Sequence, residues 1–205
     1  MRRRLILSLS ATAAALCMLV PAGPAQADAS SCGSANLSQP FLPWGDPAYY
    51  GLLPNGGFER QASAWSLDGG AQVVSGNEPF YVRRDGDSRA LSLGDSGTAI
   101  SDPVCANLQS PTLRLFAQNL GSPLSSLEVS VQFTDVLGQQ QTVPVALVTS
   151  GSDWRPTTQI PVVLNLLSLP LLSDGSTEVS FQFTPVGSGG DWTIDDVYLD
   201  PFKTN

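Results

Sequence analysis

Reaction chemistry at neutral pH draws mainly on histidine, cysteine and paired carboxylates, and this chain is poor in the first two. Its 205 residues include no histidine. That excludes Ser-His-Asp and Cys-His nucleophile pairs and imidazole metal sites. Acidic residues number eighteen against ten basic ones. Two carboxylates facing each other across a cleft could cleave glycosides. Asp85 and Asp87 instead flank a turn signal, and Asp95 and Asp102 are scattered, so solvated surface acids account for them better. No G-x-S-x-G, Walker A or dinucleotide fingerprint occurs. Gly187-Ser188-Gly189-Gly190 is glycine-rich but precedes a strand pattern and reads as a loop. The residues point to binding, not to catalysis.

The N-terminus reads as a removable signal peptide over 1–27. Arg2, Arg3 and Arg4 precede an apolar run from Leu5 to Val20, then Pro21, Pro24 and the small-residue site Ala25-Gln26-Ala27. That order is secretory. The run is short for a membrane anchor, and helix-breaking prolines follow it. The adjacent arginines leave the export route open, because a twin-arginine pathway also uses such a pair. A lipoprotein cut before Cys17 would place bulky Leu16 where a small residue is expected. Cleavage after Ala27 removes three arginines and no acid. It leaves seven basic against eighteen acidic residues, a formal charge of −11 on an extracellular chain. Such a chain repels nucleic acid and anionic lipid, so neither nucleic acid nor membrane is an expected partner. Cys32 and Cys105 are the two cysteines left, and outside the cell a pair is normally bridged. In the chain-entropy model that long loop is worth about 4 kcal/mol.

The elements that carry these residues are strands. Residues 28–52 read as an extended arm, with Pro40 and Pro43 among aromatic side chains; Phe41, Trp44, Tyr49 and Tyr50 could lie against the body. From residue 53 to 202, short apolar runs alternate with turn signals, the pattern of an antiparallel β-sandwich. Candidate strands are Ala71–Val74, Phe80–Arg83, Ala90–Leu93, Thr112–Ala117, Leu127–Phe133 and Val179–Phe183. Their period of two gives each sheet one buried and one wet face. Asp135–Gly138 reads as a hairpin connection and Ser173–Ser176 as a turn. Val162–Leu172 is almost wholly apolar and reads as a strand running into a packed loop or a single helical turn.

Two segments stand out together. Leu53-Pro54-Asn55-Gly56-Gly57-Phe58-Glu59, followed by Trp65, opens the domain, and Asp191-Trp192-Thr193-Ile194-Asp195-Asp196-Val197-Tyr198-Leu199 closes it. The pair resembles the galactose-binding-like jelly rolls of the CenC-type carbohydrate-binding modules, and the chain as a whole resembles secreted proteins of actinobacteria. The first and last strands of a jelly roll are neighbours, so a motif split between the ends can form one place in the fold. In similar modules that place holds a structural Ca²⁺. The resemblance implies Glu59 and Asp195 as its carboxylate ligands; the alternative is that Glu59 caps a turn and Asp195 bonds backbone. Strand parity would turn Asp196 to the other face. The resemblance also implies a polysaccharide or cell-envelope glycan as partner. Sugars stack on exposed aromatic rings and bond to polar side chains. Trp65 and Trp192 belong to the two motifs and read as core or rim, so Tyr81, Arg83 and Trp154 are the sugar-facing candidates. A sandwich without a sugar site, serving structure or protein interaction, is the rival reading.

Overall fold

The computed structural model describes residues 36–107, 112–162 and 176–200. Residues 1–27, Cys32, most of the apolar run after Val162 and the turn at Ser173 lie outside the described residues. Two antiparallel sheets form a β-sandwich. The first contains β1 (Leu37–Ser38), β2 (Tyr50–Leu52), β4 (Gln72–Ser75), β5 (Arg89–Gly94), β8 (Thr112–Asn119), β11 (Arg155–Pro156), β12 (Ile160–Pro161) and β14 (Asp191–Asp200). The second contains β3 (Trp65–Asp68), β6 (Thr98–Ser101), β7 (Val104–Asn107), β9 (Ser126–Thr134), β10 (Gln140–Val148) and β13 (Ser176–Val186). A short 3-10 turn, Leu42–Trp44, lies between β1 and β2.

Each sheet is built around one long strand. In the first, β14 pairs along one edge with β8; along the other it pairs first with β5 and then with β2. In the second, β13 pairs with β9 on one side and with β6 and β7 on the other. The β-branched and aromatic alternation dictates these strands. Leu127, Val129, Val131 and Phe133 of β9 meet Val179, Phe181 and Phe183 of β13 inside the sandwich, facing Leu91, Leu93, Leu113, Leu115, Trp192, Ile194 and Leu199 of the first sheet. Pro144, which cannot donate to a ladder, sits on edge strand β10 at a register shift.

The expected strands hold within three residues at either end, with one exception. Phe80–Arg83 is a loop, because the Glu78 carboxylate takes the backbone N–H groups of Phe80, Tyr81 and Val82, the last two at 2.9 and 2.8 Å. Donors so held cannot enter a ladder, and Tyr81 turns into the left-handed region at φ 50°.

The wet face expected of β8 is not wet either. Arg114 and Phe116 point away from the sandwich core and are buried all the same, under the arm. Phe41, Tyr50, Phe116 and Tyr198 form a second small core there. Phe41 stands edge-on to Tyr50 and Tyr198, with centroids 5.1 and 5.7 Å away, and stacks on Phe116 at 5.4 Å. One polar network ties this core. Asp46 accepts from the Tyr50 hydroxyl at 2.8 Å, from the Arg114 guanidinium and from Gln159 at 3.2 Å. Arg114 also donates twice to the Thr157 carbonyl and lies 4.2 Å above the Phe41 ring. The arm is thus part of the domain's packing.

Candidate functional site

The opening and closing motifs meet. The Leu53 N–H donates to the Val197 carbonyl at 2.9 Å, and the Val197 N–H returns a bond to Gly56 at 3.1 Å. Gly56 makes this contact possible: a Cβ there would stand 2.6 Å from the Val197 carbonyl oxygen. Asn55, at φ 52°, folds the loop by donating to the Gln61 and Ser63 carbonyls and accepting from the Arg60 N–H. Trp65 is buried, and its indole N–H reaches the Pro54 and Asn55 carbonyls at 3.1 and 3.2 Å. Trp192 is fully buried, with its N–H on Ser125.

Opposite this loop, β14 carries a register shift between Asp195 and Tyr198, and Asp196 has φ 46°. The irregularity defeats the parity expected for Asp196. Ile194 and Val197 both reach the core, so Asp195 and Asp196 fall between them, and both are buried. Asp195 accepts from the Glu78 N–H at 3.1 Å and from the Asp196 N–H at 2.8 Å. Burial, then the neighbouring Asp196 charge, pushes Asp195 well above the usual carboxylate range. Burial also raises Asp196, against the pull of Arg83, with Glu78, Asp87 and Glu59 adding to the rise. Burial raises Glu78 as well, although three backbone donors oppose it.

These acids are the place to test for calcium. Glu59 Oε1 accepts from the Ser88 and Arg89 N–H groups at 2.7 and 2.8 Å, which caps that turn. Both Asp195 oxygens bond backbone, and the Glu78 carboxylate is spent on its own loop. Among the described residues no three Asp, Glu or Cys side chains are arranged to hold a metal ion. A calcium shell needs six to eight oxygens, and this donor set does not fit it. Arg83 lies within the acids instead, 2.7 Å from Asp87 and 3.6 Å from Asp196.

The sugar-facing candidates fall as follows. Arg83 is largely buried among the acids. Trp154 is half-buried and packs on the second core, directly before β11. Tyr81 is 46% exposed, in the loop whose neighbour Val82 packs on that same core. Two residues outside the expected set complete the surface: Trp44, 36% exposed, and Phe80, 44% exposed. Their rings meet edge-to-face at 4.9 Å, and each also touches buried Phe116, at 5.4 and 5.6 Å. Trp44 sits in the arm and Phe80 in an expected strand, so no sequence pattern brought them together. Cys105 is half-buried on β7, and its expected partner Cys32 lies outside the described residues.

No family model matches the chain, and no curated protein matches it. Solved structures do. One is the CBM22-1–GH10 modules of Clostridium thermocellum endo-1,4-beta-D-xylanase 10B complexed with xylohexaose, with a TM-score of 0.51 at 13% identity; the match covers 73% of this chain and 28% of that one. Another is the CBM22-1–CBM22-2 tandem domain of Paenibacillus barcinonensis Xyn10C, with a TM-score of 0.50 at 11% identity, covering 76% and 46%. The chain therefore spans less than half of either structure. At such identity the likeness is one of fold alone: a two-sheet antiparallel β-sandwich.

Proposed function

We propose that the chain is a secreted, non-catalytic β-sandwich module that binds carbohydrate, either a polysaccharide or a cell-envelope glycan. The carrying observation is the exposed Trp44–Phe80 pair, seated on buried Phe116, with exposed Tyr81 next to Phe80 in the sequence. Ring faces held rigidly by a packed floor give a pyranose a stacking surface at little entropic cost. The sandwich, shared with carbohydrate-binding modules, supports the reading, as does a sequence without histidine. Export through residues 1–27 and a Cys32–Cys105 bridge belong to the same proposal.

A second reading, a protein-interaction module, has its own support in the bare side chains of Leu120, Leu124, Val136, Leu137 and Leu147. A glycan array and polysaccharide pull-down separate the two. Retention on a sugar that is lost in Trp44→Ala and Phe80→Ala, with melting curves near wild type, establishes the first. Absence of retention from a folded, bridged protein sinks it.

A further inference from the structure

Five carboxylates gather where the opening loop meets the bulge of β14: Glu59, Glu78, Asp87, Asp195 and Asp196. Glu59 and Glu78 each take two or more backbone N–H groups, and Asp195 takes two. Asp196 and Asp87 are different: the charged group they meet is Arg83. Its Nη2 stands 2.7 Å from Asp87, and its Nε stands 3.6 Å from Asp196, whose side chain is 2% exposed. Exposed Arg84 acts on Asp87 from the solvent side. Gly57 closes the space around the pair. A Cβ there would stand 2.7 Å from the Asp196 carboxylate and 2.9 Å from Arg83 Nε, so the guanidinium is held between backbone and acid with no slack. The contact is one of charge and not of forked hydrogen bonding, since neither Nε nor Nη2 of Arg83 has a hydrogen-bond partner.

We propose that Arg83 is the built-in counter-ion of this acidic end, so that the fold stands without a divalent cation. A buried carboxylate that loses its only charged partner is strongly destabilising. A side chain fixed in the chain supplies that charge at every calcium concentration, where a bound ion would supply it only above its dissociation constant. This inference is independent of glycan binding.

Thermal melting of the protein purified from an exporting host tests it, in millimolar calcium and in chelator, at about pH 9, above the value of about 7 to which Asp196 is raised, so that its carboxylate is charged. The wild type is expected to melt at the same temperature in both. Arg83→Met is expected to melt lower by roughly 5 °C or more in chelator, as the loss of a buried charge partner in a domain this size implies. Arg83→Met combined with Asp196→Asn, which removes the stranded charge, is expected to recover at least half of that loss. The double variant also serves if Arg83→Met alone does not fold. A calcium-dependent rise in the wild type would overturn the proposal. So would an unchanged Arg83→Met, or a double variant no better than the single.

Discussion

At the scale of single residues, the opening motif is explained by backbone geometry. Asn55 folds the loop, Gly56 and Gly57 let it press on β14, Glu59 caps the turn before β5, and Trp65 pins the loop by its N–H. Gly56→Ala sets a methyl against a backbone carbonyl that β14 cannot move. It should cost about 1–3 kcal/mol, as overpacking does; urea unfolding would measure it. Asp46 gives a prediction on pH. Burial raises its pKa, but the bonds from Tyr50, Ala48, Arg114 and Gln159 outweigh that and hold it below the ordinary value. A depressed carboxylate contributes stability above its unfolded pKa, near 3.9, and loses it as pH falls through the folded value. The wild type should therefore lose stability below about pH 4. Asp46→Asn should be weaker at neutral pH by about 3 kcal/mol or more, since it strands Arg114, and should show a shallower acid limb. Equal acid slopes in the two proteins would refute the assignment.

At the scale of elements, the interior strands were legible because their apolar residues recur at period two. β5, β8, β9 and β13 fall where Ala90–Leu93, Thr112–Ala117, Leu127–Phe133 and Val179–Phe183 predict them. The meeting of the two motifs was legible too, through the adjacency of first and last strands. What was not legible depends on tertiary contacts. The loop at Phe80–Arg83 is set by Glu78, which lies outside the apolar pattern. The burial of Asp196 follows from an irregularity in β14 that alternation cannot announce. The cover over β8 comes from an arm more than sixty residues away in sequence, so Arg114 reads as an outward residue until Phe41 is placed on it. This cover carries its own prediction. Phe41 is fully buried against three rings, and Phe41→Ala should cost about 3–5 kcal/mol. The mutant should bind a dye specific for exposed apolar surface before it unfolds, as the arm lifts from Phe116 and Tyr198. Cooperative loss without dye binding would mean that the arm and sandwich are one folding unit.

At the scale of the whole molecule, charge decides among the sugars that the ring surface could take. With residues 1–27 removed, as the proposed export requires, the chain would carry seven basic residues against eighteen acidic ones, and two of the basic residues, Arg83 and Arg114, are engaged by acids. Little positive charge is left to meet a phosphate or carboxylate on a glycan. A field of one sign repels like-charged polymers over about a Debye length, roughly 8 Å at physiological salt. Ring stacking is indifferent to salt over that range, because it rests on apolar contact and not on charge. Uncharged polysaccharides should therefore be retained equally at low and high ionic strength. Anionic ones of similar backbone should be excluded at low salt and gain only as the repulsion is screened. Pull-downs on matched neutral and anionic polymers, repeated across a salt series, would show it. Tight retention on an anionic polymer that weakens as salt rises would mean that a basic patch does the binding, and the Trp44–Phe80 surface would lose its claim to the site.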